Sequence, residues 1–431
     1  PFDWDGADGF QEIMKRGGFD AVIGNPPYGY HEIHSDNTKP YLKEHYTSSS
    51  GSFEHYFLFY EAGLNKLRRD GYHGFIVPVT WLTIPSAQSL RKFILSNYAL
   101  EKIIWLPALV FKNAQVNTLV SVIRNAKPSV TQILISDVND PALNAGNKKE
   151  IEQAKFVSAG FKIHIFESEK ETGLLTKIET HSVPLGSLAR PCSGYNPYEV
   201  GTGLALDGKP HTLETVKNRP YHSGTKLGKD WKPEVAGHDL ERYYLKWPEH
   251  SFVKYGPWLA AARDPDNFIG SRLLVQEITG GSKRRIIATF CKEELYHILD
   301  VIPVKCDAGW PHPLFLLGVV NSWLITWRHH RRSPKAKKAL FPKVLVSDLK
   351  QIPIPKLIEN NLEDKSNHDS LIRHVEKMLS LNRSLHENVS EAQRDALSRQ
   401  INATDRQIDQ LVYKLYGLTE EEIKIVEEGV K

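Results

Sequence analysis

The sequence FDAVIGNPPY, residues 19–28, carries the strongest structural signal in this chain. Residues 19–24 have the mainly apolar composition of a short buried strand. Two prolines follow almost at once, and neither has the backbone N–H that a central strand needs, so the strand must end there. In an open α/β sheet, ligands bind at the carboxyl ends of the strands. The stretch therefore predicts a strand that ends at a binding site.

The residues at this predicted strand end are suited to holding an amine on an aromatic ring. The lone pair of such an amine is delocalised, and two acceptors for its N–H groups would favour a tetrahedral, nucleophilic nitrogen. Asn25 can accept with its side-chain carbonyl, and Pro26, followed by Pro27, can accept with its backbone carbonyl. Tyr28 offers a flat face on which a base can stack. The structural alternative is an ordinary strand-ending turn, in which Asn and Pro are common.

Composition limits the class of protein. The 431 residues are enough for two or three domains, and 41% hydrophobic with 25% charged residues is typical of a soluble globular chain. The net charge of +4 means that any nucleic-acid surface must be local. Cys192, Cys291 and Cys306 are isolated, which argues against a zinc site or disulfides, predicts no metal and fits the cytoplasm. We find no membrane span or signal peptide.

Helix and strand patterns alternate after the opening stretch. The spacing of apolar residues predicts a helix over 52–69, capped by Ser52 and ended by Asp70-Gly71, and then a strand over 74–78. A helix over 86–96 and strands over 100–106 and 118–124 follow. This alternation predicts a doubly wound, mainly parallel α/β sheet. The polar loop over 30–50 is either a lid over the substrate or a surface loop.

Asn25-Pro26-Pro27-Tyr28 matches motif IV of the amino-methyltransferases that use S-adenosylmethionine, and the chain resembles that family over more than one motif. Residues 53–59 and 74–82 resemble the elements that follow motif IV. Val110-Phe111 resembles motif VIII, whose aromatic ring packs against a flipped base, and the resemblance implies that role for Phe111. The alternative for Phe111 is a core residue. Glu54 departs from the Asp or Asn that relatives often have.

The glycine-rich turn that approaches the cofactor in this family has no match here. Only 24 residues precede Asn25, and Gly17-Gly18 lacks the strand and helix of that turn. The glycines at 201–203 and 279–281 lack them as well. We therefore expect the chain to be the C-terminal part of a larger methyltransferase, inactive alone, whose S-adenosylmethionine is bound mainly by an upstream part of the same protein.

The middle of the chain contains two clusters of positive charge. Residues 273–278 and 285–290 read as a hairpin, and the tip carries Lys283, Arg284 and Arg285, which either contact phosphates or form a solvated basic turn. An apolar helix over 314–327, which reads as core, leads to a second cluster beside two tryptophans. That cluster predicts a nucleic-acid surface formed by Arg328, Arg331, Arg332 and lysines between 335 and 338.

Four separate segments, at 233–243, 255–259, 316–324 and 349–355, resemble the target-recognition domain of combined restriction–modification enzymes, adenine-specific and of type IIG. The resemblance implies double-stranded DNA as the partner. It also implies an adenine-N6 methyltransferase that flips its target base. Side chains would read base edges in the major groove, and Lys and Arg would bind phosphates.

The C-terminal region has a heptad-like apolar pattern over 371–385 and 397–415, which predicts a hairpin of two antiparallel helices. Asn382 falls on this pattern, where it either fixes the register or lies at the rim while Leu381 packs. Thr419 is expected to cap a last short helix. The tail is either a scaffold or a dimer contact.

We thus expect three domains: 1–165, the methyltransferase part; 166–357, the target-recognition part, of mixed α+β class; and 358–431, the helical hairpin. Two other functions stay open. One is a DNA specificity module with a non-catalytic methylase remnant, and the other is a methylase that acts on protein glutamine or RNA. The intact Asn25–Tyr28 motif argues against the first, and the recognition-like region argues against the second.

Overall fold

The structure, a computed structural model, describes residues 3–6, 8–28, 38–50, 53–106, 118–136, 146–158, 160–165, 168–247, 249–279, 286–306, 309–333 and 343–429. Two compact units divide the chain, unit 1 at Pro1–Phe166 and unit 2 at Glu167–Lys431. Each unit is described below by itself. The division into three domains stays a prediction.

Unit 1 alternates helices and strands in chain order. Its elements are α1 (Gln11–Lys15), β1 (Phe19–Gly24), α2 (Thr38–His45), α3 (His55–Leu64), β2 (Leu67–Pro78), α4 (Gln88–Asn97), β3 (Ala99–Leu106), β4 (Thr118–Arg124), β5 (Val130–Ser136), β6 (Gly146–Glu152) and α5 (Gln153–Ser158). Short 3-10 turns cover Thr47–Ser49, Val79–Leu82 and Pro85–Ala87. Because α2 and the first of these turns lie within 30–50, the prediction of a loop there is wrong over 38–45 and 47–49. The strands predicted over 19–24, 100–106 and 118–124 and the helix over 86–96 are thus found close to their expected bounds.

The sheet of unit 1 is mixed, in the order β1-β2-β4-β3-β5-β6. β1 is parallel to β2, and β3 is parallel to β5, whereas β4 is antiparallel to both of its neighbours and β6 to β5. The prediction of a mainly parallel sheet is therefore wrong. A parallel neighbour needs a long crossover, commonly a helix, and the sequence between β3 and β4 had shown no helix pattern.

The helix predicted over 52–69 is shorter than expected. It begins at His55 with Glu54 at the N-cap position, so the prediction of Ser52 as the cap is wrong. It ends at Leu64, because the backbone of Lys66 accepts a hydrogen bond from Phe19 N (2.8 Å) and β2 begins at once. Asp70, expected to end the helix, instead lies inside β2 with a positive φ of 64°, where the register with β1 shifts. Strand pairing has overridden the local helical pattern.

The core of unit 1 lies between the sheet and helices α3 and α4. Tyr56, Phe57 and Tyr60 of α3 are buried, as the helical spacing predicted. Tyr60 also forms a buried hydrogen bond with Ser121 on β4 (2.6 Å). β1 lies at one edge of this sheet, and Ile23 on it is 85% exposed. No residue of β1 is buried, so the prediction of a buried strand is wrong, because among the described residues this edge has no further neighbour in the sheet. The core thus fixes β2, and β2 positions the strand that carries the Asn25 motif.

Unit 2 begins with one helix and many short strands. Its elements are α6 (Glu169–Thr180), β7 (Ser182–Pro184), β8 (Ala189–Pro191), α7 (Leu213–Asn218), β9 (His222–Ser223), β10 (Trp231–Val235), β11 (Leu240–Glu241), β12 (Tyr244–Leu245), β13 (Phe252–Lys254), β14 (Arg272–Gln276), β15 (Ala288–Cys291), β16 (Tyr296–His297) and β17 (Val301–Cys306). It continues with α8 (Pro313–Val320), α9 (Trp323–Arg332), α10 (Val346–Lys350), β18 (Pro353–Pro355), α11 (Leu362–Leu385), α12 (Glu391–Leu415) and α13 (Glu420–Glu428).

Two four-stranded sheets organise the middle of unit 2, in the orders β15-β14-β17-β8 and β16-β10-β13-β9. The predicted hairpin is confirmed, since β14 and β15 are antiparallel with Leu273 opposite Phe290. The apolar helix predicted over 314–327 is two helices, α8 and α9, because Ser322 caps a new helix through Ile325 N (3.3 Å). α8 is entirely buried, as predicted for core.

Helices α11 and α12 form the expected antiparallel pair, since Lys414 near the end of α12 donates to Asn367 near the start of α11 (3.1 Å). Asn382 lies on the buried side of α11, where its side chain donates to Met378 O (2.8 Å), and Leu381 is only partly buried. Thr419 caps α13 as predicted. Among the described residues, no helix combines the length and apolar character that a membrane span requires.

Candidate functional site

The Asn25 motif follows the carboxyl end of β1. In the parallel register with β2, Gly24 lies opposite Phe75, so Asn25 comes level with Ile76. A Cβ on Gly24 would lie 3.1 Å from the Phe75 ring, which means that this approach of the two strands is close. Pro26 is buried, whereas the side chain of Asn25 is exposed. The acceptor side chain is therefore open to a ligand while the backbone beside it is fixed by packing.

Tyr28, the last residue of the motif, contacts its first residue, Asn25. Its phenolic oxygen lies 2.6 Å from Asn25 Oδ1 and 2.9 Å from the backbone oxygen of Ile76. The ring is half-buried and meets Tyr56 of α3 edge-on, with 6.1 Å between centroids. Burial raises the pKa of Tyr28, so at neutral pH its hydroxyl is a proton donor. A carbonyl oxygen has two lone pairs, so Asn25 Oδ1 can accept from Tyr28 and from a ligand amine together.

The predicted motif residues Asn25, Pro26, Pro27 and Tyr28 are thus brought together at one strand end. The backbone carbonyl of Ile76 belongs to the same arrangement, and sequence reasoning missed it. Ile76 had been recognised only as part of a buried strand. The parallel pairing of β1 with β2 brings its carbonyl to the motif, and only the register could have indicated this.

The described residues near the motif do not form a cradle for a nucleoside cofactor. Gly17 and Gly18 both have positive φ angles, of 95° and 118°. A Cβ on Gly18 would collide with the backbone of Lys66, so the second glycine serves the close approach of the chain to the start of β2. Among the described residues, this glycine pair therefore offers no turn for S-adenosylmethionine.

Several predicted site residues lie outside the described residues. These are Phe111, expected to stack on the base, and the hairpin-tip cations Lys283, Arg284 and Arg285, together with the lysines between 335 and 338. The assignments of Phe111 and of the hairpin tip stay predictions.

The second predicted basic cluster needs a correction. Arg331 lies 2.5 Å from Glu171 and stacks over Trp327, with 4.3 Å from its guanidinium carbon to the ring centroid. Arg328 and Arg332 both pair with Glu179, at 3.2 and 3.0 Å. The three arginine side chains are only 9%, 13% and 18% exposed for Arg328, Arg331 and Arg332. They join α9 to α6 inside unit 2 instead of forming a free cationic surface.

The pKa values of the acidic partners, Glu171 and Glu179, are lowered by these contacts. Burial alone would raise the pKa of Glu171 and of Glu179. Hydrogen bonds from Ser168 and Arg331 outweigh burial at Glu171, and Arg332 with Arg328 does so at Glu179, so both pKa values are lowered. A sequence cannot show this, because the acids precede the arginines by roughly 150 to 160 positions.

A different basic loop is exposed. Residues 224–230, between β9 and β10, are all exposed and include Lys226 and Lys229. Leu227 stands between the two lysines and is 64% exposed. Two exposed lysines in one loop suit contact with a polyanion. The loop sequence GTKLGKD is the signal that could have identified it.

A buried polar network supports this loop. Glu234 on β10 accepts hydrogen bonds from Tyr195 and from Ser251 (2.8 Å), and His222 Nε2 lies 3.1 Å from it. Tyr198 also contacts His222 Nδ1 (2.9 Å). These hydrogen bonds connect β9, β10 and the residue just before β13. Both ends of the exposed loop 224–230 are therefore attached to fixed strands.

Two families of known proteins match this chain. Residues 1–111 match the Eco57I restriction-modification methylase family, and residues 232–354 match the TaqI-like C-terminal specificity domain. The first range contains the Asn25 motif, and the second contains much of unit 2. The predicted resemblance to restriction–modification methyltransferases with a target-recognition domain is thereby confirmed.

Individual relatives agree with these families. A protein of Methanocaldococcus jannaschii, described as a type II restriction enzyme and methyltransferase, is 24% identical over 429 residues, covering 96% of this chain and 32% of its own length. The type II restriction enzyme and methyltransferase Eco57I of Escherichia coli is 37% identical over 99 residues, covering 22% of this chain and 10% of its own length. The chain thus spans about a third or less of these relatives.

A solved structure shows the same fold. The type IIL restriction-modification enzyme MmeI, solved in complex with DNA, superposes with a TM-score of 0.57 over 95% of this chain and 56% of its own. The sequences are 11% identical, so the likeness concerns the fold alone. The expected α/β class with a helical C-terminus agrees with it.

Proposed function

We propose that this chain, a restriction–modification methyltransferase segment by both of its family matches, takes part in site-specific methylation of adenine N6 in double-stranded DNA. Unit 1 would hold the target amine, and unit 2 would contact the DNA. In this proposal the catalytic residues are Asn25, Pro26 and Tyr28, with Pro27 restricting the backbone.

One observation carries the proposal: the Asn25 side-chain carbonyl is exposed at the end of a strand whose continuation, Pro26, is buried and fixed. An aminated ring placed here can donate one N–H to Asn25 Oδ1 and the other to the Pro26 carbonyl. Together the two acceptors hold the N–H hydrogens of the amine out of the plane of the aromatic ring. This localises the lone pair on the amine nitrogen. Preorganised acceptors of this kind act without reorganisation at the moment of reaction.

Tyr28 serves two purposes in this account. Its ring provides a surface against which the flipped base can lie, and stacking of this kind contributes roughly 1–3 kcal/mol per base. Its hydroxyl has one proton, which it can donate either to Asn25 Oδ1 (2.6 Å) or to Ile76 O (2.9 Å), and donation to Asn25 aims that carbonyl. Base flipping is required because the amine is not accessible within a duplex.

S-adenosylmethionine, bound mainly by a part of the enzyme upstream of this chain, would supply the methyl group. The described residues support this division, because their carbonyl groups suit an amine acceptor and Gly17-Gly18 does not suit a nucleoside. We propose that this chain alone transfers methyl groups slowly or not at all.

Double-stranded DNA is the proposed partner of unit 2. The lysine loop, residues 224–230, has two exposed cations and an exposed leucine on a base held by the Glu234 network. Lysines would bind phosphates and fix the register of the protein on the duplex. Arg328, Arg331 and Arg332 have no part in this proposal, because ion pairs with Glu171 and Glu179 hold their largely buried side chains within unit 2.

The second candidate is a DNA specificity module with a non-catalytic methylase remnant. The lack of a glycine cradle among the described residues favours it, whereas the exposed carbonyl of Asn25 favours catalysis. The two candidates differ in what the motif does, since a remnant would tolerate its loss.

The experiment joins this chain to its expected upstream segment and follows the transfer of a labelled methyl group to duplex DNA. Nucleoside analysis of the product should yield N6-methyladenine at a single sequence context. Methylcytosine as the product would refute the proposed base. Sequence-specific DNA binding with no transfer under any condition would favour the remnant.

A further inference from the structure

Two histidines and an aspartate lie together at one end of the β10–β13 pair in unit 2. His238 and Asp239 belong to the 3-10 turn that follows β10, and His250 comes just before β13. Because β10 and β13 are antiparallel neighbours, the chain leaving one and the chain entering the other are adjacent. Strand pairing thus brings His250 to the neighbouring residues His238 and Asp239.

The spacing of these three groups suits a shared metal ion. One ligand atom from each residue can be chosen so that all three lie within 4.8 Å of one another. His238 Nε2 is 3.5 Å from Asp239 Oδ1. Ligands bound tetrahedrally at about 2.1 Å from an ion are roughly 3.4 Å apart, so this pair already has the required separation. His250 is exposed, and its ring can adjust by rotation.

The carboxylate of Asp239 already has a fixed orientation that suits metal binding. Its side chain is 4% exposed, and Oδ2 accepts a hydrogen bond from Ala236 N (2.9 Å). The carboxylate is therefore fixed by the backbone through one oxygen, and its other oxygen lies nearest His238. A ligand whose orientation is locked loses little freedom when an ion binds.

A second carboxylate supports the same turn. Asp300 Oδ2 accepts from Gly237 N (2.7 Å), whereas the buried Oδ1 has no hydrogen-bond partner among the described residues. This carboxylate adds negative charge beside the turn that carries His238 and Asp239.

We propose that His238, Asp239 and His250 bind one divalent transition-metal ion of the zinc class. Two imidazoles and one carboxylate are preferred by such ions, whereas Mg²⁺ and Ca²⁺ prefer oxygen ligands alone. The ion joins the loop after β10 to the loop before β13 and stabilises the specificity region. The remaining coordination positions face solvent, because both imidazoles are exposed. The cluster contains no cysteine, which is why the spacing of the cysteines did not indicate it.

The test uses the untagged chain and titrates it with Zn²⁺ by calorimetry and with Co²⁺ by visible absorption. We expect one tight site per chain, and a rise in Tm of about 3 °C or more at saturating Zn²⁺. His250→Ala should abolish both metal binding and the rise in Tm. The variant should still fold, because the side chain of His250 is exposed. His181→Ala, an exposed histidine elsewhere in unit 2, is the matched control and should bind as the wild type does.

Two results would overturn the proposal. One is a wild-type chain that binds no Zn²⁺ at about 100 μM, a concentration at which a micromolar site is nearly saturated. The other is a His250→Ala chain that binds one ion as tightly as the wild type. Neither result depends on methyl transfer, so the site and the proposed function are tested separately.

Discussion

The hydroxyl oxygen of Tyr28 lies 2.6 Å from the side-chain carbonyl oxygen of Asn25, and the same hydroxyl reaches the backbone of β2 at Ile76. A tyrosine at this position would be expected to present its ring to a base. The structure adds that the tyrosine also positions the acceptor three residues earlier. The motif is therefore a hydrogen-bonded unit attached to the sheet, and its parts should not contribute independently.

Tyr28→Phe should separate the two roles of this residue. It keeps the ring and removes the hydrogen bond to Asn25, so kcat for methyl transfer should fall about tenfold, the value of one hydrogen bond of roughly 1.4 kcal/mol. DNA affinity should stay within a few-fold. Tyr28→Ala should lose more, because stacking is lost too. Tyr72→Phe, an exposed tyrosine on β2, serves as the control, and wild-type kcat in Tyr28→Phe would refute the positioning role.

Arg331→Met should destabilise unit 2 without weakening DNA binding. The substitution leaves Glu171 half-buried without its partner, and we expect a loss of about 2 kcal/mol in the free energy of unfolding, measured by urea denaturation. The double variant Glu171→Gln/Arg331→Met should recover part of this loss. If Arg331→Met instead leaves stability intact and weakens DNA binding, the ion-pair interpretation of this arginine fails.

Substitutions in the lysine loop should weaken DNA binding and leave stability unchanged. Lys226→Ala/Lys229→Ala should leave the free energy of unfolding within about 0.5 kcal/mol of wild type, since both side chains are exposed. If both lysines bind phosphates, the slope of log K against log salt should decrease by about 2. Fluorescence anisotropy with duplex DNA over a salt series measures this slope. An unchanged slope would remove the loop from the DNA interface.

His73 should make the stability of unit 1 depend on pH. Burial lowers its pKa to about 3, from an ordinary value of 6.5, so the folded state stays neutral where the unfolded state binds a proton. The unfolded state is therefore favoured progressively as pH falls below 6.5. The expected loss approaches about 1.4 kcal/mol per pH unit.

His73→Phe should abolish this dependence, because a phenyl ring fits among Tyr60 and Phe75 and does not titrate. Urea denaturation between pH 7.5 and 5 compares the variant with the wild type. His45→Gln, an exposed histidine in the same unit, should keep the wild-type slope. Equal slopes in His73→Phe and wild type would contradict the assignment.

Local patterns in the sequence predicted individual elements better than their arrangement. The strand before Asn25, the strand over 118–124 and the cap at Thr419 each follow from residues next to one another, and each is present. The helix predicted to reach Arg69 fails because Lys66 and Phe19 pair across the sheet. Such pairing depends on residues distant in the chain, so periodicity could not reveal it.

The candidate site shows the same contrast between features set by neighbouring residues and features set by distant ones. The proposed site at 25–28 could be located from the sequence because its four residues are neighbours in the chain. The arginines of α9 could not be judged from the sequence, because their ion pairs are formed with Glu171 and Glu179 on another helix. A dense basic run indicates cationic residues, and only the fold shows which of them are already paired.

The most direct test of the account is methyl transfer by Asn25→Ala in the enzyme restored with its upstream segment. Loss of one of two preorganised acceptors should reduce kcat by roughly 100-fold or more, with DNA affinity unchanged within a few-fold. Asn97→Ala, an exposed asparagine of α4, is the control and should retain full activity. An Asn25→Ala enzyme that methylates adenine at the wild-type rate would contradict the claim that this strand end holds the reacting amine.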